Sequence, residues 1–388
     1  MQTMPWWKEL PENFNSIPFS TSVDSRHAFK VRGSAAFDIA LRAAISTILT
    51  VGASKCLVPE AARRQDWDRL EQYRLFADRA DREEVFPRPP RGVKVERLDK
   101  PFLTYEPKGV HTELLGFKSP YTALLPEMRE DYAKHHANNQ VIAQHWRHPD
   151  GPRPTLIFTH GYLVDKSWMS SLGFSLTWLY KKGYDILLYT LPFHGSRAGS
   201  SDLFSGQSYF AHGFAHMNEA FLQAVYDLRI WIDYLEEQGV PAIGVSGYSL
   251  GGYVSALAAS VDPRLAFAVA NAPAVLMPDT LFSWQPMSWV LKYAFSLHGK
   301  GLADFRHTTA VHCPLTWRPL LPSERLLVIG GAGDRFTLPQ FVNALHEHWA
   351  GSQMHWFPGN HVMHLHQPEY LRLMKDFMDK CCGMPRSH

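Results

Sequence analysis

Short, continuously apolar runs dominate the chain beyond residue 150, and they constrain the fold more than any other feature. They read PTLIFTHG (154–161), YDILLYT (184–190), AIGVSGYS (242–249), LAFAVANAP (265–273) and RLLVIGG (325–331). None alternates as a strand with one wet face does, so each reads as a strand buried on both sides. Helical patterns separate them, at 166–181, 214–238 and 250–260. In the longest, Met217, Phe221, Val225, Leu228, Ile232 and Leu235 form one stripe that Gly239 stops. β-rich runs at 112–117 and 139–147 come before this series. QMHWFPG (353–359) and a closing helix near 367–381 come after it. Strands alternating with helices predict an α/β fold with a mostly parallel central sheet flanked by helices. Chemistry on such a sheet gathers at the carboxyl ends of its strands.

The first ninety residues are of another kind. Phe37, Ala40, Leu41, Ala44, Ile45 and Ile48 recur at helical spacing, with Asp38 and Arg42 on another face. A second amphipathic pattern, 61–84, runs through Trp67, Leu70, Tyr73 and Ala77, and its dense mixed charge reads as a solvated face. FPRPPRG (86–92) then breaks regular structure. The expected organisation is a helical N-terminal extension over 1–90, a core over 91–272 and 323–388, and an insertion at 273–322.

Composition narrows the function classes. With 39 Lys+Arg against 37 Asp+Glu, no electrostatic reason exists to expect a nucleic-acid partner. Cys56, Cys313, Cys381 and Cys382 show no metal-ligand spacing, so no metal is expected. The start, MQTMPWWKELPENF, lacks a basic segment followed by an apolar one, which argues against a signal peptide. The apolar stretch 35–58 is interrupted by Asp38, Arg42 and Lys55, which argues against a membrane span. The expectation is a soluble, cytoplasmic protein with reduced thiols. Trp6-Trp7 and the helix at 35–50 offer a means of peripheral membrane attachment, and the extension equally offers a homo-oligomer contact.

One serine stands at the strand end at 249, in GVSGYSLGGYVSALAAS (244–260). Gly247 and Gly251 flank it at minus two and plus two, where side chains would collide if the chain reversed sharply. This is the G-x-S-x-G nucleophile elbow, which exposes a hydroxyl beside a helix N-terminus. The bland alternative is a serine in a tight turn. A nucleophilic serine needs a base, and the base an orienting acid, following in the order serine, acid, histidine. Asp334, in GAGDRFTLP, follows a buried strand; His361, in FPGNHVMHLH, follows the last strand through Pro358-Gly359-Asn360. His355 lies inside that strand, while His364 and His366 lead into the closing helix, so His361 is the expected base.

His160-Gly161, LPFHGS, GYSLGG, GAGDRFTLP and PGNHVM together resemble the α/β hydrolase superfamily of serine esterases and lipases, over residues 110–381. The resemblance implies an oxyanion hole from the backbone N–H of Leu250 and, in the His-Gly-X turn, of Tyr162. His194 implies a loop-fixing residue, with Phe193 where the family carries a glycine. Asn360 replaces a glycine at a place where the backbone alone is expected to matter. The insertion, with Trp284, Met287, Trp289, Tyr293, Phe295 and Phe305, implies a cap over the serine; Trp284, Met287 and Trp289 are its candidate substrate contacts. The implied function is hydrolysis of a small-molecule carboxylic ester through an acyl-enzyme, without a cofactor. Thioesterase, lactonase, peptidase and acyltransferase activities share the triad, and a non-catalytic binding protein on the same scaffold is the rival from another class.

Overall fold

The computed structural model describes residues 4–54, 60–163 and 166–384; Cys56 and the first three residues lie outside that range. The apolar runs become strands β4 (Thr155–Thr159), β5 (Asp185–Tyr189), β6 (Ile243–Tyr248), β7 (Phe267–Asn271), β8 (Leu326–Gly331) and β9 (Gln353–Phe357). Before them come β1 (Glu96–Leu98), which the sequence pattern does not mark, β2 (Thr112–Lys118) and β3 (Gln140–Trp146). The sheet runs β1-β2-β3-β5-β4-β6-β7-β8-β9, parallel from β5 to β9 and antiparallel at the β1-β2-β3-β5 edge.

Period two divides the core. Ile157, Leu187, Val245, Ala268 and Val328 point into one apolar cluster. Their neighbours Leu156, Phe158, Ile186, Leu188, Val269 and Leu327 point into another on the opposite face. Successive side chains of a strand face opposite ways, so only continuous apolar runs can supply both.

The helices that frame the sheet and the site are α1 (Ala28–Ser54), α2 (Glu60–Arg79), α3 (Phe214–Glu237), α4 (Leu250–Ala259), α5 (Met277–Ser283), α6 (Met287–Ser296), α7 (Leu302–Thr309), α8 (Pro339–His348) and α9 (Gln367–Cys382). The pattern expected as one helix at 166–181 is two, Ser167–Gly173 and Leu176–Lys181, because Ser175 turns left-handed at φ 51°.

The extension joins the core instead of standing off it. Trp7, Leu70, Tyr73, Ala77 and Phe86 belong to the same apolar cluster as α3 and α4. Trp6 Nε1 donates to Thr316 Oγ1 (2.9 Å) and Trp7 stacks on His307, so both tryptophans have partners within the protein. Helix α1 also lies opposite to expectation. Ser34, Asp38 and Ser46 are buried, while Phe29, Phe37 and Ile48 are exposed. Its polar face has partners in the loops beyond β8 and β9 and in the insertion, and those partners decide its orientation.

Candidate active site

Every group singled out in the sequence as nucleophile, base, acid or oxyanion donor follows a parallel strand. Ser249 follows β6, the 160–162 turn follows β4 beside it, Asp334 follows β8 and His361 follows β9. Ser249 adopts φ 55° and ψ −112°, a conformation that costs a residue with a Cβ of order 1–3 kcal/mol. A Cβ on Gly251 would lie 2.1 Å from the Thr159 carbonyl oxygen, so the elbow closes on β4 only with glycine there. At Gly161 a Cβ would come within 3.4 Å of Ser249 Cβ, which measures how near the 160–162 turn passes the hydroxyl.

Asp334, His361 and Ser249 lie in one hydrogen-bonded line. His361 Nδ1 lies 2.7 Å from Asp334 Oδ2, and its Nε2 lies 3.0 Å from Ser249 Oγ. A carboxylate on Nδ1 keeps the proton there and leaves Nε2 to accept from the serine. Asp334 is fully buried and saturated: Oδ1 accepts the backbone N–H of Phe336 and Thr337 (2.8 Å each), and Oδ2 also accepts from Thr337 Oγ1 (2.9 Å). Phe336 stacks on the imidazole at 5.1 Å, Tyr248 packs against it at 4.9 Å, and the Tyr248 hydroxyl donates to the His361 carbonyl. Among the described residues, no hydrogen bond within the protein engages the backbone N–H of Leu250 or Tyr162.

No protein-family model matches the chain. Among the solved structures that superpose on it are two acetyl xylan esterases. Acetyl Xylan Esterase 1 from Thermoanaerobacterium sp. JW/SL YS485 gives a TM-score of 0.56 at 16% identity, over 80% of this chain and 94% of that one. The acetyl xylan esterase from Paenibacillus sp. R4 gives 0.54 at 16% identity, over 79% and 94%. The chain is an α/β hydrolase in fold. It is also similar to an uncharacterized protein of Mycobacterium tuberculosis, in strains CDC 1551 / Oshkosh and H37Rv, at 31% identity over 242 residues. That match covers 58% of this chain and 54% of the relative, so the chain spans about half the length of the curated relatives it matches.

The rival histidines of the hydrolase core have other partners. His364 bonds the Tyr370 hydroxyl (2.6 Å) and the His361 carbonyl (3.2 Å), and burial pushes its pKa down to about 4. His366 caps α9. His194 is fully buried, and its Nδ1 donates to the Pro192 carbonyl at 2.7 Å, which fits a loop-fixing role.

The insertion divides its aromatics. Trp284 packs edge-on against Phe336, itself stacked on His361, so it stands one ring from the base. Met287 is buried, with its N–H on Ser46 Oγ of α1 (3.2 Å). Trp289 is 61% exposed and Tyr293 67%, because α6 is amphipathic and turns this side to solvent. Among the described residues, neither of these rings packs on Phe336 or His361 as Trp284 does on Phe336. Phe295 and Phe305 pack on each other and on Phe282, inside the core.

Asn360 departs from the expectation drawn from its motif. Its side chain is buried: Oδ1 accepts the N–H of Val362 and Met363, and Nδ2 donates to the Ser34 carbonyl of α1 (2.7 Å). More than the backbone is constrained there. Among the described residues, no group of three or more His, Cys, Asp or Glu is placed to hold a metal ion. A cavity of about 550 Å³ opens between α1, α6 and the acid loop, lined by Phe19, Arg42, Phe282, Lys292 and Arg335, and no triad residue lines it.

Proposed function

We propose that the protein hydrolyses carboxylic esters as a serine hydrolase, with Ser249 as nucleophile, His361 as base and Asp334 as orienting acid. The observation that supports this most is the unbroken line from Asp334 Oδ2 through His361 to Ser249 Oγ, at a strained strand-to-helix turn. Ser249 gives its proton to His361 Nε2 as Oγ attacks the ester carbonyl. The amides of Leu250 and Tyr162, free of internal partners, receive the developing oxyanion. The imidazolium then protonates the leaving alcohol, leaving an acyl-enzyme. Water, deprotonated by the same nitrogen, releases the acid and restores the serine. Asp334 holds the tautomer and stabilises the cation, and no step calls on a metal or an organic cofactor. Trp284, backed on Phe336, is the ring of the cap best placed to border an acyl group.

A fluorophosphonate probe followed by peptide mapping tests the assignment. Labelling of Ser249, lost together with turnover of p-nitrophenyl esters in Ser249→Ala, is expected. Asp334→Asn should cost less than His361→Ala, because the acid acts through the base. Labelling elsewhere, or full turnover in Ser249→Ala, would reject the assignment. Thioester, lactone and amide analogues tested in parallel separate the ester reading from the other reactions this triad performs, and an added alcohol acceptor tests acyl transfer.

A further inference from the structure

Helix α1 lies outside the elements that make an α/β hydrolase, yet it reaches the catalytic loops with a charge. We propose that Asp38 is a positioning residue of this active site, its carboxylate gripping the acid loop and the histidine loop together and stabilising the imidazolium. The proposal rests on the serine-hydrolase reading above.

Asp38 Oδ2 accepts two backbone N–H groups, from Arg335 at 2.9 Å and from His361 at 3.0 Å. Arg335 directly follows the triad acid, and His361 is the base itself. One oxygen thus ties the two loops whose separation sets the Asp334–His361 bond. Neighbouring contacts run the same way: Arg42 donates to the Arg335 carbonyl at 2.6 Å, and Asn360 donates to the Ser34 carbonyl. A Cβ on Gly333 would fall 2.5 Å from Ser34 Oγ, so the acid loop sits directly on the helix.

The charge is what separates this from packing. Asp38 is fully buried, its Oδ1 has no hydrogen-bond partner, and no ion pair to it occurs among the described residues. A buried carboxylate without a salt partner is costly, and an asparagine could accept the same two N–H groups without that cost. The groups that face it are Asp334, Arg335 and His361 from the loops, Tyr248 from the end of β6, and Arg42 one turn along its own helix. Burial first, and then Asp334, push its pKa up to about 6, while the two N–H groups and His361 act the other way. The carboxylate is therefore ionised above about pH 6 and loses its charge as the pH falls through that value. A negative charge beside His361 favours the cation that forms as Ser249 gives up its proton.

Asp38→Asn and Asp38→Leu separate the grip from the charge. Asp38→Leu removes both and should lower kcat by about 100-fold, the scale of a small misplacement of a catalytic group, with KM little changed. Asp38→Asn keeps an acceptor and should lose about tenfold. Its acid limb of kcat/KM should lie at lower pH than in the native enzyme, where the Asp38 charge is lost as the pH falls through about 6. The His361 Nδ1–H bonded to Asp334 Oδ2 at 2.7 Å should give the native protein a downfield proton resonance, which should shift or broaden in Asp38→Leu and persist in Asp38→Asn. Native kcat with an unchanged resonance in folded Asp38→Leu would overturn the proposal. If that variant does not fold, an acid limb in Asp38→Asn superimposable on the native one overturns it. Failure of the fluorophosphonate to label native Ser249 would instead reject the hydrolase reading, and the resonance, which needs no turnover, would still report whether Asp38 holds His361.

Discussion

Ser249 and its two flanking glycines show how little freedom a single position has at this site. The serine holds a positive φ, and the adjoining turn is compressed until Gly251 touches the backbone of Thr159. Thr159 Oγ1 also donates to the Gly251 carbonyl at 2.9 Å, so the contact cannot widen without breaking a buried bond. Gly251→Ala should therefore destabilise by about 3 kcal/mol or more, at the upper end of what overpacking costs, because backbone and not a flexible side chain must give way. Chemical denaturation measures this; a loss under about 1 kcal/mol would mean that the elbow can relax. Asn360 makes the complementary point. Its role lies in side-chain bonds that neither the motif nor its spacing announces.

Among the elements, α3 depends on the extension for its start. Gly213 stands at its N-cap and has no side chain to offer, and the Asp66 carboxylate of α2 accepts the N–H of Phe214 and Ala215 instead (3.1 and 3.3 Å). A carboxylate there satisfies free donors and opposes the positive end of the helix dipole. Asp66→Ala should cost about 0.5–2 kcal/mol in denaturation midpoints, the range for losing a cap, even though the two helices lie far apart in sequence. Glu219 of α3 is tied the same way, accepting from the Tyr73 hydroxyl of α2 and the Tyr121 hydroxyl at once. An unchanged midpoint in Asp66→Ala would show that water caps α3 equally well.

For the molecule as a whole, buried imidazoles set the acid limit of stability. His145 is buried with neither ring nitrogen bonded, and burial pushes its pKa down to about 4; His312, fully buried, is pushed down to about 3. Both bind a proton more readily when unfolded, at the ordinary value of about 6.5. Their contribution is intact above about pH 6.5 and shrinks as the pH falls, by up to about 1.4 kcal/mol per histidine per pH unit, until it reaches the folded values. Melting temperature should thus drop steadily between about pH 6.5 and 4. Replacing His145 by a similarly sized apolar residue should reduce that slope, and a slope unchanged in the variant would show that other groups carry the acid sensitivity.

Local patterns in the chain suffice for β2 to β9, the succession of the buried strands and the residues of the candidate triad, and miss only the edge strand β1. Continuous apolar runs have one stable use in a soluble fold, and a serine between glycines at a strand end has few. Strand burial and turn geometry are written within a handful of residues, so a reading of neighbours along the chain recovers them. The first ninety residues are different, because distant contacts settle what they do. Periodicity marks the apolar face of α1 but cannot say which face will find partners. Asp38 turns inward because the N–H groups of Arg335 and His361 await it, 297 and 323 residues further along the chain. Likewise the spacing of Trp284 and Trp289 could not separate the tryptophan packed on Phe336 from the one in solvent, since that depends on how the insertion lies against α1. A pattern in the chain reports what a segment must bury; the folded neighbours decide against what.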